Sequence, residues 1–254
     1  MKISVRVTYP ETGKYDWYEA LKNYEEIGQV EVAFYFPKSF LEKATIESVV
    51  APFQKLNLIV SSIHLAHARL TEPGIFEQVL KKSIAIAKTL NCNTFVVHPS
   101  FGKLVQVKSF IDNVVDPLLD ENRIFLCWET FMSRYRILSG IEEIVNFCRG
   151  RFWHRACYDF SHIHKKQEEV LEEIERNLNY IRVFHTSNRI AEKRRQHLPL
   201  FYSDSSPDLD FIRILEFLVE REFNGYIILE YFPKYTESVK ADARFLIKNF
   251  TGQK

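Results

Sequence analysis

Short apolar runs rich in β-branched and aromatic residues alternate along this chain with longer amphipathic stretches. In the stretches 76–90 and 167–178, apolar residues recur at steps of three and four, which predicts helices. Nearly continuous apolar strands that alternate with helices are typical of a parallel sheet covered on both faces. The predicted strands are 3–8, 30–36, 56–64, 94–98, 124–129, 155–159, 180–185 and 226–231.

The number and spacing of these runs favour a closed barrel. Eight strand–helix units in 254 residues leave roughly 30 residues for each unit, which is the size of one such repeat. About 250 residues is also the usual length of a (β/α)8 barrel. No linker, low-complexity tract or shift in composition divides the chain. We therefore predict an α/β protein that folds as a single (β/α)8 TIM barrel domain over residues 1–254, rather than as an open doubly wound sheet.

Composition excludes several other classes of protein. The chain has only 8 glycines, where average usage would give roughly 18, so disordered and collagen-like classes are excluded. Its 34 Lys and Arg against 33 Asp and Glu give a net charge of +1, which argues against an obligate nucleic-acid binder but permits a local basic patch. No apolar run approaches the ~20 residues that cross a bilayer, so we expect no membrane partner.

The cysteines and the N-terminus favour a cytoplasmic protein. The four cysteines form no CxxC pair, and we interpret them as buried reduced thiols rather than disulfides. The first residues, Met1 to Val5, indicate a strand and not a secretory signal. The cysteines are Cys92, Cys127, Cys148 and Cys157.

Side chains able to bind a metal stand at the carboxyl ends of six consecutive predicted strands. In a barrel these ends meet at one face, where active sites lie. Three carboxylates crowded into a partly buried mouth require a compensating cation, and none of these strands ends in Lys or Arg. Since His and carboxylate together suit Zn, Mn, Fe or Co, we predict a divalent-metal site. The six residues are His64, His98, Glu129, Asp159, His185 and Glu230.

Other histidines differ in their relation to this pattern. His162 follows Asp159 by three residues, so both side chains can face the same mouth. His67 and His154 lie off the pattern, and we interpret them as structural. His164 has two equal interpretations, one at the site and one pointing outward.

The longest predicted irregular stretch is 186–206, and loops of this length are usually functional. It contains several basic residues and His197 but no glycine, so a phosphate would be held by side chains rather than by backbone amides. A solvated loop is the equal alternative. The basic residues are Arg189, Lys193, Arg194 and Arg195.

The ordered set of motifs resembles the xylose-isomerase-like TIM barrels, which comprise sugar and sugar-phosphate isomerases and epimerases together with endonuclease IV (AP endonuclease family 2). The resemblance runs from Ile3 to about Phe250. The motifs that carry it are Ser62-x-His64, His98-Pro99, Trp128-Glu129-Thr130, Asp159-x-x-His162, His185-x-Ser187-Asn188, His197-Leu198-Pro199-Leu200 and Leu229-Glu230.

Resemblance to the epimerase branch implies a metal bound by Glu129, Asp159, His185 and Glu230. It implies that Glu129 and Glu230 also act as the acid and base, through a metal-stabilised enediolate. One or two ions of Mn, Zn, Co or Mg are expected. The substrate contacts that we predict are His64, His98, His162, Arg189 and His197.

Resemblance to the endonuclease branch implies three zinc ions and nine ligands, and one of the nine is altered. The position of an Asp two residues before His197 holds Arg195, a cation that would repel a third metal. The other eight positions match His64, His98, Glu129, Asp159, His162, His185, His197 and Glu230.

Three functions therefore remain open. The leading hypothesis is a metal-dependent sugar or sugar-phosphate isomerase or epimerase with a small sugar-like substrate. The second is a zinc phosphodiesterase that acts on abasic DNA. The third is a barrel with a degenerate metal site that binds without catalysis. A homo-oligomer is left open.

Overall fold

Eight parallel strands close into a barrel in the computed structural model, which describes residues 1–11, 13, 15–131, 133, 135–202 and 207–251. Around the barrel each strand pairs with its neighbours, and the first strand pairs with the last, so that Lys2 lies opposite Tyr226. The barrel strands are β1 (Lys2–Thr8), β2 (Gln29–Ala33), β3 (Ile59–His64), β4 (Thr94–Val97), β5 (Phe125–Glu129), β6 (His154–Asp159), β7 (Ile181–Thr186) and β10 (Tyr226–Leu229). The predicted (β/α)8 barrel is confirmed.

Helices cover the outside of the barrel. The predicted helix 76–90 begins earlier, at Pro73, because proline at the first helical position presets the backbone angle and needs no hydrogen-bond partner. In the described part of the chain, no helix is long and apolar enough to cross a membrane. The helices are α1 (Trp17–Lys22), α2 (Pro37–Lys43), α3 (Ile46–Lys55), α4 (Pro73–Thr89), α5 (Leu104–Phe110), α6 (Asp116–Asn122), α7 (Ile141–Cys148), α8 (Gln167–Asn177), α9 (Phe211–Glu220) and α10 (Thr236–Phe250), with a π-helical turn Ile111–Val115 joining α5 to α6.

The prediction of an irregular loop over 186–206 is wrong for much of its length. Two short strands, β8 (Asn188–Ile190) and β9 (Arg195–Leu198), pair antiparallel in this segment. The connection between them uses Arg194 in the left-handed region, with φ +51°. That conformation is strained for residues other than glycine. Because arginine and not glycine occupies this position, the sequence lacks the glycine that usually indicates a hairpin. Residues 203–206 of the predicted loop lie outside the described residues.

Alternation along the strands separates two apolar layers. One set of strand residues packs outward against the helices in the main core, as Leu126 and Trp128 do. The residues between them point into the barrel, where a small interior cluster lies. Its members are Val96, Cys127, Cys157, Val183 and Ile228. Two residues beyond each of these five positions stands a candidate ligand, so the alternation directs the strand-end side chains to the inside of the mouth. These residues are His98, Glu129, Asp159, His185 and Glu230.

The four cysteines are buried and unpaired, as predicted. Burial raises the pKa of the thiols of Cys92, Cys148 and Cys157 to about 12. It raises the pKa of Cys127 further, so none of the four is activated as a nucleophile.

Candidate metal centre and active site

Four predicted ligands come together at the carboxyl ends of β5, β6, β7 and β10. Glu129, Asp159, His185 and Glu230 each offer one ligand atom within 4.8 Å of those of the other three. The first three are fully buried, and the Glu230 side chain is 14% exposed. His185 Nδ1 lies 2.9 Å from Glu129 Oε1 and 3.1 Å from Glu230 Oε2. These four strands lie between Phe125 and Leu229 in the sequence, and closure of the barrel brings their carboxyl ends together.

Unpartnered oxygens in this cluster fit a divalent cation. Asp159 Oδ2 and Glu230 Oε2 are buried and accept no hydrogen bond, although an imidazole nitrogen lies 3.1 Å from each of them. A carboxylate oxygen held out of water without a donor is costly, and a metal ion removes that cost. The other oxygen of Asp159 accepts the Ser161 backbone N–H at 2.7 Å, which fixes the carboxylate. Two Glu, one Asp and one His form a donor set suited to Mn, Zn, Co or Mg.

A second group of ligand atoms shares Glu129 with the first. His98 Nε2 lies 2.7 Å from Glu129 Oε2, and His64 Nε2 lies 3.3 Å from the same oxygen. These atoms also lie within 4.8 Å of one another. Burial, reinforced by the charge of Arg6, lowers the pKa of His64 to about 3. Its imidazole is therefore neutral near pH 7, which is the form that binds a metal.

Two further predicted residues stand above Asp159. His162 Nδ1 lies 3.1 Å from Asp159 Oδ2, and its ring packs on Phe131 with centroids 4.2 Å apart. The His197 ring lies edge-on to His162 at 5.4 Å, and its Nδ1 lies 3.3 Å from the Glu230 carbonyl oxygen. Burial lowers the pKa of His197 to about 4, so this imidazole is neutral near pH 7.

Arg189 is turned into the protein and not into the mouth. The residue is 1% exposed, and Nη1 donates to the Phe160 carbonyl at 2.7 Å. Nη2 donates to the Lys165 carbonyl, and Nε lies 3.3 Å from Asp208. This guanidinium joins three segments of the chain, so the packing does not support its predicted role as a substrate contact. That role stays a prediction.

The off-pattern histidines have different surroundings. His154 accepts the Trp128 indole N–H at 2.9 Å and contacts Asp116 at 2.8 Å at the far end of β6, which agrees with its interpretation as structural. His67 instead stacks on His98 with ring centroids 4.1 Å apart, so it lies beside the second ligand group. Burial lowers the pKa of His67 to about 2.

Sequence reasoning missed two charged residues inside the barrel, Arg6 and Glu31. Arg6 Nη1 pairs with Glu230 Oε1, and Arg6 Nε lies 3.2 Å from Glu31 Oε1. None of the six strands with candidate ligands ends in Lys or Arg, but Arg6 brings a basic side chain to the mouth from β1. Both residues lie in the middle of a strand, where a search of strand ends does not look. The alternation of β1 and β2 was the available signal, because it directs both positions inward.

The charges at the mouth are only partly balanced. Among the residues that the structure describes, Glu31, Glu129, Asp159 and Glu230 lie near one paired guanidinium, that of Arg6. Burial opposes ionisation of Glu129, but the imidazoles of His98 and His185 outweigh burial and hold its pKa well below the usual value. Burial lowers the pKa of His185, but the neighbouring Cys157 thiol and the carboxylates of Glu31 and Glu129 outweigh burial and raise that pKa well above 6.5. The excess negative charge thus favours a proton on His185. A divalent metal ion would compensate more of this negative charge than a proton does.

A cavity of about 370 Å³ opens at the mouth beside Glu230, a volume in the range of small-ligand sites. Its lining combines charged and polar groups at the base with aromatic rings on the sides. The lining includes Arg6, His197, Glu230, Tyr15, Tyr35 and Phe232.

A closed (β/α)8 barrel with histidine and carboxylate ligands at the carboxyl ends of its strands defines the class of protein. The family described as xylose isomerase-like TIM barrel matches residues 24–249. The chain belongs to this family, which confirms the resemblance. No curated protein matches the sequence.

Solved structures share the fold at low sequence identity. The 3-keto-D-glucoside 4-epimerase YcjR from E. coli gives a TM-score of 0.70 at 13% identity over 98% of this chain and 99% of its own. The AP endonuclease, family 2, from Brucella melitensis gives 0.71 at 13% over 96% and 99%. A xylose isomerase-like TIM barrel protein from Mycobacterium smegmatis in complex with magnesium gives 0.74 at 13% over 98% and 96%. At these identities the likeness shows the fold alone.

Proposed function

We propose that this protein is a divalent-metal-dependent isomerase or epimerase of a small sugar or sugar phosphate. The observation that carries the proposal is the cluster of Glu129, Asp159, His185 and Glu230, one member of which lines a cavity of small-ligand size. Solved structures that share the fold include a sugar epimerase and a protein in complex with magnesium. We propose that one ion occupies this cluster and that His64, His98 and Glu129 offer a place for a second.

Two carboxylates of the cluster act as the base and the acid of a proton transfer. A divalent metal, when bound, polarises the carbonyl and neighbouring hydroxyl oxygens of a sugar and acidifies the C–H bond next to the carbonyl. One carboxylate, Glu230 or Glu129, accepts the proton from that carbon, and the other returns a proton, so no oxidant or reductant is consumed. Arg6 holds the carboxylate of Glu230 in place by its ion pair.

The neutral imidazole of His197 suits the recognition of a polyol. His197 lines the cavity, and His162 lies next to it. A neutral ring has one donor and one acceptor nitrogen, so it can bind a hydroxyl without adding charge to the mouth. The aromatic side chains Tyr15, Tyr35 and Phe232 enclose the apolar faces of a small ligand and limit its size.

Proton exchange tests this function directly. Purified protein with Mn²⁺ in D2O should incorporate deuterium next to the carbonyl of at least one ketose or ketose phosphate from a panel, measured by NMR. Glu230→Gln should lower the exchange rate by at least about 100-fold, because general acid–base catalysis contributes on that order. The control is Glu237→Gln, an exposed carboxylate on α10. Exchange that is unchanged in Glu230→Gln would refute the assignment of the base.

Cleavage of abasic DNA is the second candidate, and the ligand group His64, His98 and Glu129 favours it because it offers a place for a further metal ion. Arg195, which replaces an expected ligand, donates to the Tyr202 hydroxyl at 3.2 Å and is exposed. A duplex with one abasic site, incubated with zinc-loaded protein, separates the two proposals. Nicking without ketose exchange would favour the hydrolase, and exchange without nicking the epimerase. If neither occurs, the non-catalytic hypothesis is favoured.

A further inference from the structure

His185 lies between carboxylates on both sides of its ring. Nδ1 faces Glu129 and Glu230, while Nε2 lies 3.2 and 3.3 Å from the two oxygens of Glu31. Glu31 comes from β2, which is separated from β7 by β1 and β10 around the barrel, and it is fully buried. It belongs to neither group of candidate ligands. Since Glu31 is not a candidate ligand, its burial beside His185 indicates a role other than metal binding.

The geometry determines which nitrogen carries the proton when a metal is bound. An imidazole that binds a metal through one nitrogen carries its hydrogen on the other, and that hydrogen is commonly donated to a carboxylate. Since Nδ1 of His185 faces the ligand cluster, its hydrogen is on Nε2 and points to Glu31. The acceptor is itself held in place, because Ser62 Oγ donates to Glu31 Oε2 at 2.6 Å.

Arg6 balances the charge of this carboxylate. Its Nε lies 3.2 Å from Glu31 Oε1, and its side chain is 6% exposed. Arg6 and Glu31 together are neutral, so Glu31 adds a strong acceptor for His185 without adding net charge to the mouth. A buried anion without this counter-charge would cost several kcal/mol.

We propose that Glu31 is a positioning residue of the metal centre, which holds His185 with Nδ1 toward the metal, while Arg6 supplies the counter-charge. The inference rests on the metal centre of the proposed function and extends it to a residue outside the ligand set. Glu31 contacts neither metal nor substrate in this role and acts only through the ring of His185.

Metal affinity is the first measurement. Mn²⁺ is titrated by calorimetry into metal-stripped wild type, Glu31→Leu and Glu31→Gln. We expect Glu31→Leu to weaken Mn²⁺ binding by 10- to 100-fold, as loss of a carboxylate behind a ligating histidine typically does. Glu31→Gln keeps an oxygen acceptor at the same distance, so its loss should be smaller, and it serves if the leucine variant fails to fold.

A control separates positioning from general destabilisation. Glu173 is also a buried carboxylate, which pairs with Lys165 and accepts the Tyr158 hydroxyl at 2.8 Å, and it belongs to neither ligand group. Glu173→Gln should lower stability and leave Mn²⁺ affinity within threefold of wild type.

The position of the proton is the second measurement, which a purely structural role would not affect. A long-range ¹H–¹⁵N spectrum of zinc-loaded wild type should show, besides the signal of His154, a histidine with its hydrogen on Nε2 and slow solvent exchange, and this signal should be absent in His185→Ala. In Glu31→Leu this hydrogen should exchange faster. Mn²⁺ affinity within threefold of wild type in Glu31→Leu and Glu31→Gln, with an unchanged His185 signal, would overturn the role of Glu31 alone. Wild type that binds neither Mn²⁺ nor Zn²⁺ would overturn the metal centre and this inference with it.

Discussion

At the scale of single residues, a cation in the middle of a strand compensates part of the negative charge at the mouth of this barrel. Arg6 contacts Glu31 and Glu230 and places a permanent positive charge beside the ligand cluster. Burial raises the pKa of Glu31, but the charges of His185 and Arg6 outweigh it and lower that pKa to about 2. An ionised carboxylate in a fully buried position therefore depends on these two neighbours.

Removal of Arg6 should be strongly destabilising. Arg6→Met leaves Glu31 as an uncompensated buried charge, and loss of one partner of a buried pair costs about 3–5 kcal/mol. We expect a decrease of this order in the free energy of unfolding, measured with urea in the presence of EDTA. Mn²⁺ should restore part of the loss, because a bound cation supplies the missing charge.

Arg221→Met is the matched control for this change. Arg221 pairs with Glu175 at 2.6 Å, but both side chains are about half exposed, at 44% and 53%. Surface pairs of this kind contribute about 0–1 kcal/mol. A loss in Arg6→Met no larger than that in Arg221→Met would show that the buried pair is dispensable.

At the scale of elements, strand register decides which side chains meet. A bulge in the pairing of β2 with β3 places Val30 opposite Val60 but Glu31 opposite Ser62. This shift brings Ser62 next to Glu31, whose carboxylate accepts the Ser62 hydroxyl. Between β6 and β7 a similar shift places Asp159 opposite His185. The ligand cluster thus depends on irregularities in the ladder and not only on alternation.

The hairpin of β8 and β9 is the element that carries His197 to the mouth, and Asn188 anchors it. The buried Asn188 side chain donates to the carbonyls of Leu200 and Leu209 at 3.0 and 2.9 Å. Its oxygen accepts the backbone N–H of Arg189 at 2.9 Å and that of Leu209 at 3.3 Å. One side chain therefore satisfies four backbone groups of the segment that follows β7.

Asn188→Ala should loosen this hairpin. Buried polar groups left without partners cost about 1–3 kcal/mol each, so we expect a decrease of at least about 2 kcal/mol in the free energy of unfolding. Limited proteolysis should then cut within 188–202 faster than in wild type. In Asn249→Ala, which removes a single exposed hydrogen bond to the Phe245 carbonyl, neither measurement should change. Equal proteolysis of Asn188→Ala and wild type would contradict the anchoring role.

At the scale of the whole molecule, burial of the thiols links stability to alkaline pH. The unfolded chain releases thiol protons near the ordinary pKa of 9.0, whereas the folded pKa of Cys92, Cys148 and Cys157 is about 12. The folded state keeps these protons to higher pH than the unfolded state does. Stability from this source is therefore complete below pH 9 and is lost as the pH rises toward 12.

Alkaline unfolding of cysteine variants measures this linkage. The free energy of unfolding of wild type should fall between pH 9 and 12, and the slope should be smaller in Cys92→Ala. Ellman's reagent at pH 8 should react with none of the four thiols in the native protein and with all four in guanidinium, because the thiolate is the reactive form. Fast reaction of a native thiol would show that the barrel exposes it.

The sequence by itself was sufficient for the barrel and the candidate ligands, but not for every strand end, since β2 ends at Ala33 and β10 at Leu229 rather than at 36 and 231. Period-two alternation within apolar runs is local, so it reveals which side chains point inward without knowledge of the partner strand. The same logic could have found Arg6 and Glu31, had it been applied along whole strands and not only at their ends.

Only the tertiary structure decided how these charges are paired. Arg6 meets Glu230 because closure of the barrel pairs β1 with β10, at opposite ends of the sequence, and Glu31 meets His185 across the barrel. Arg189 sits in a basic stretch, yet its guanidinium binds backbone carbonyls within the fold. Electrostatic energy depends on distance in space and on burial, and neither is contained in the spacing of residues along the chain.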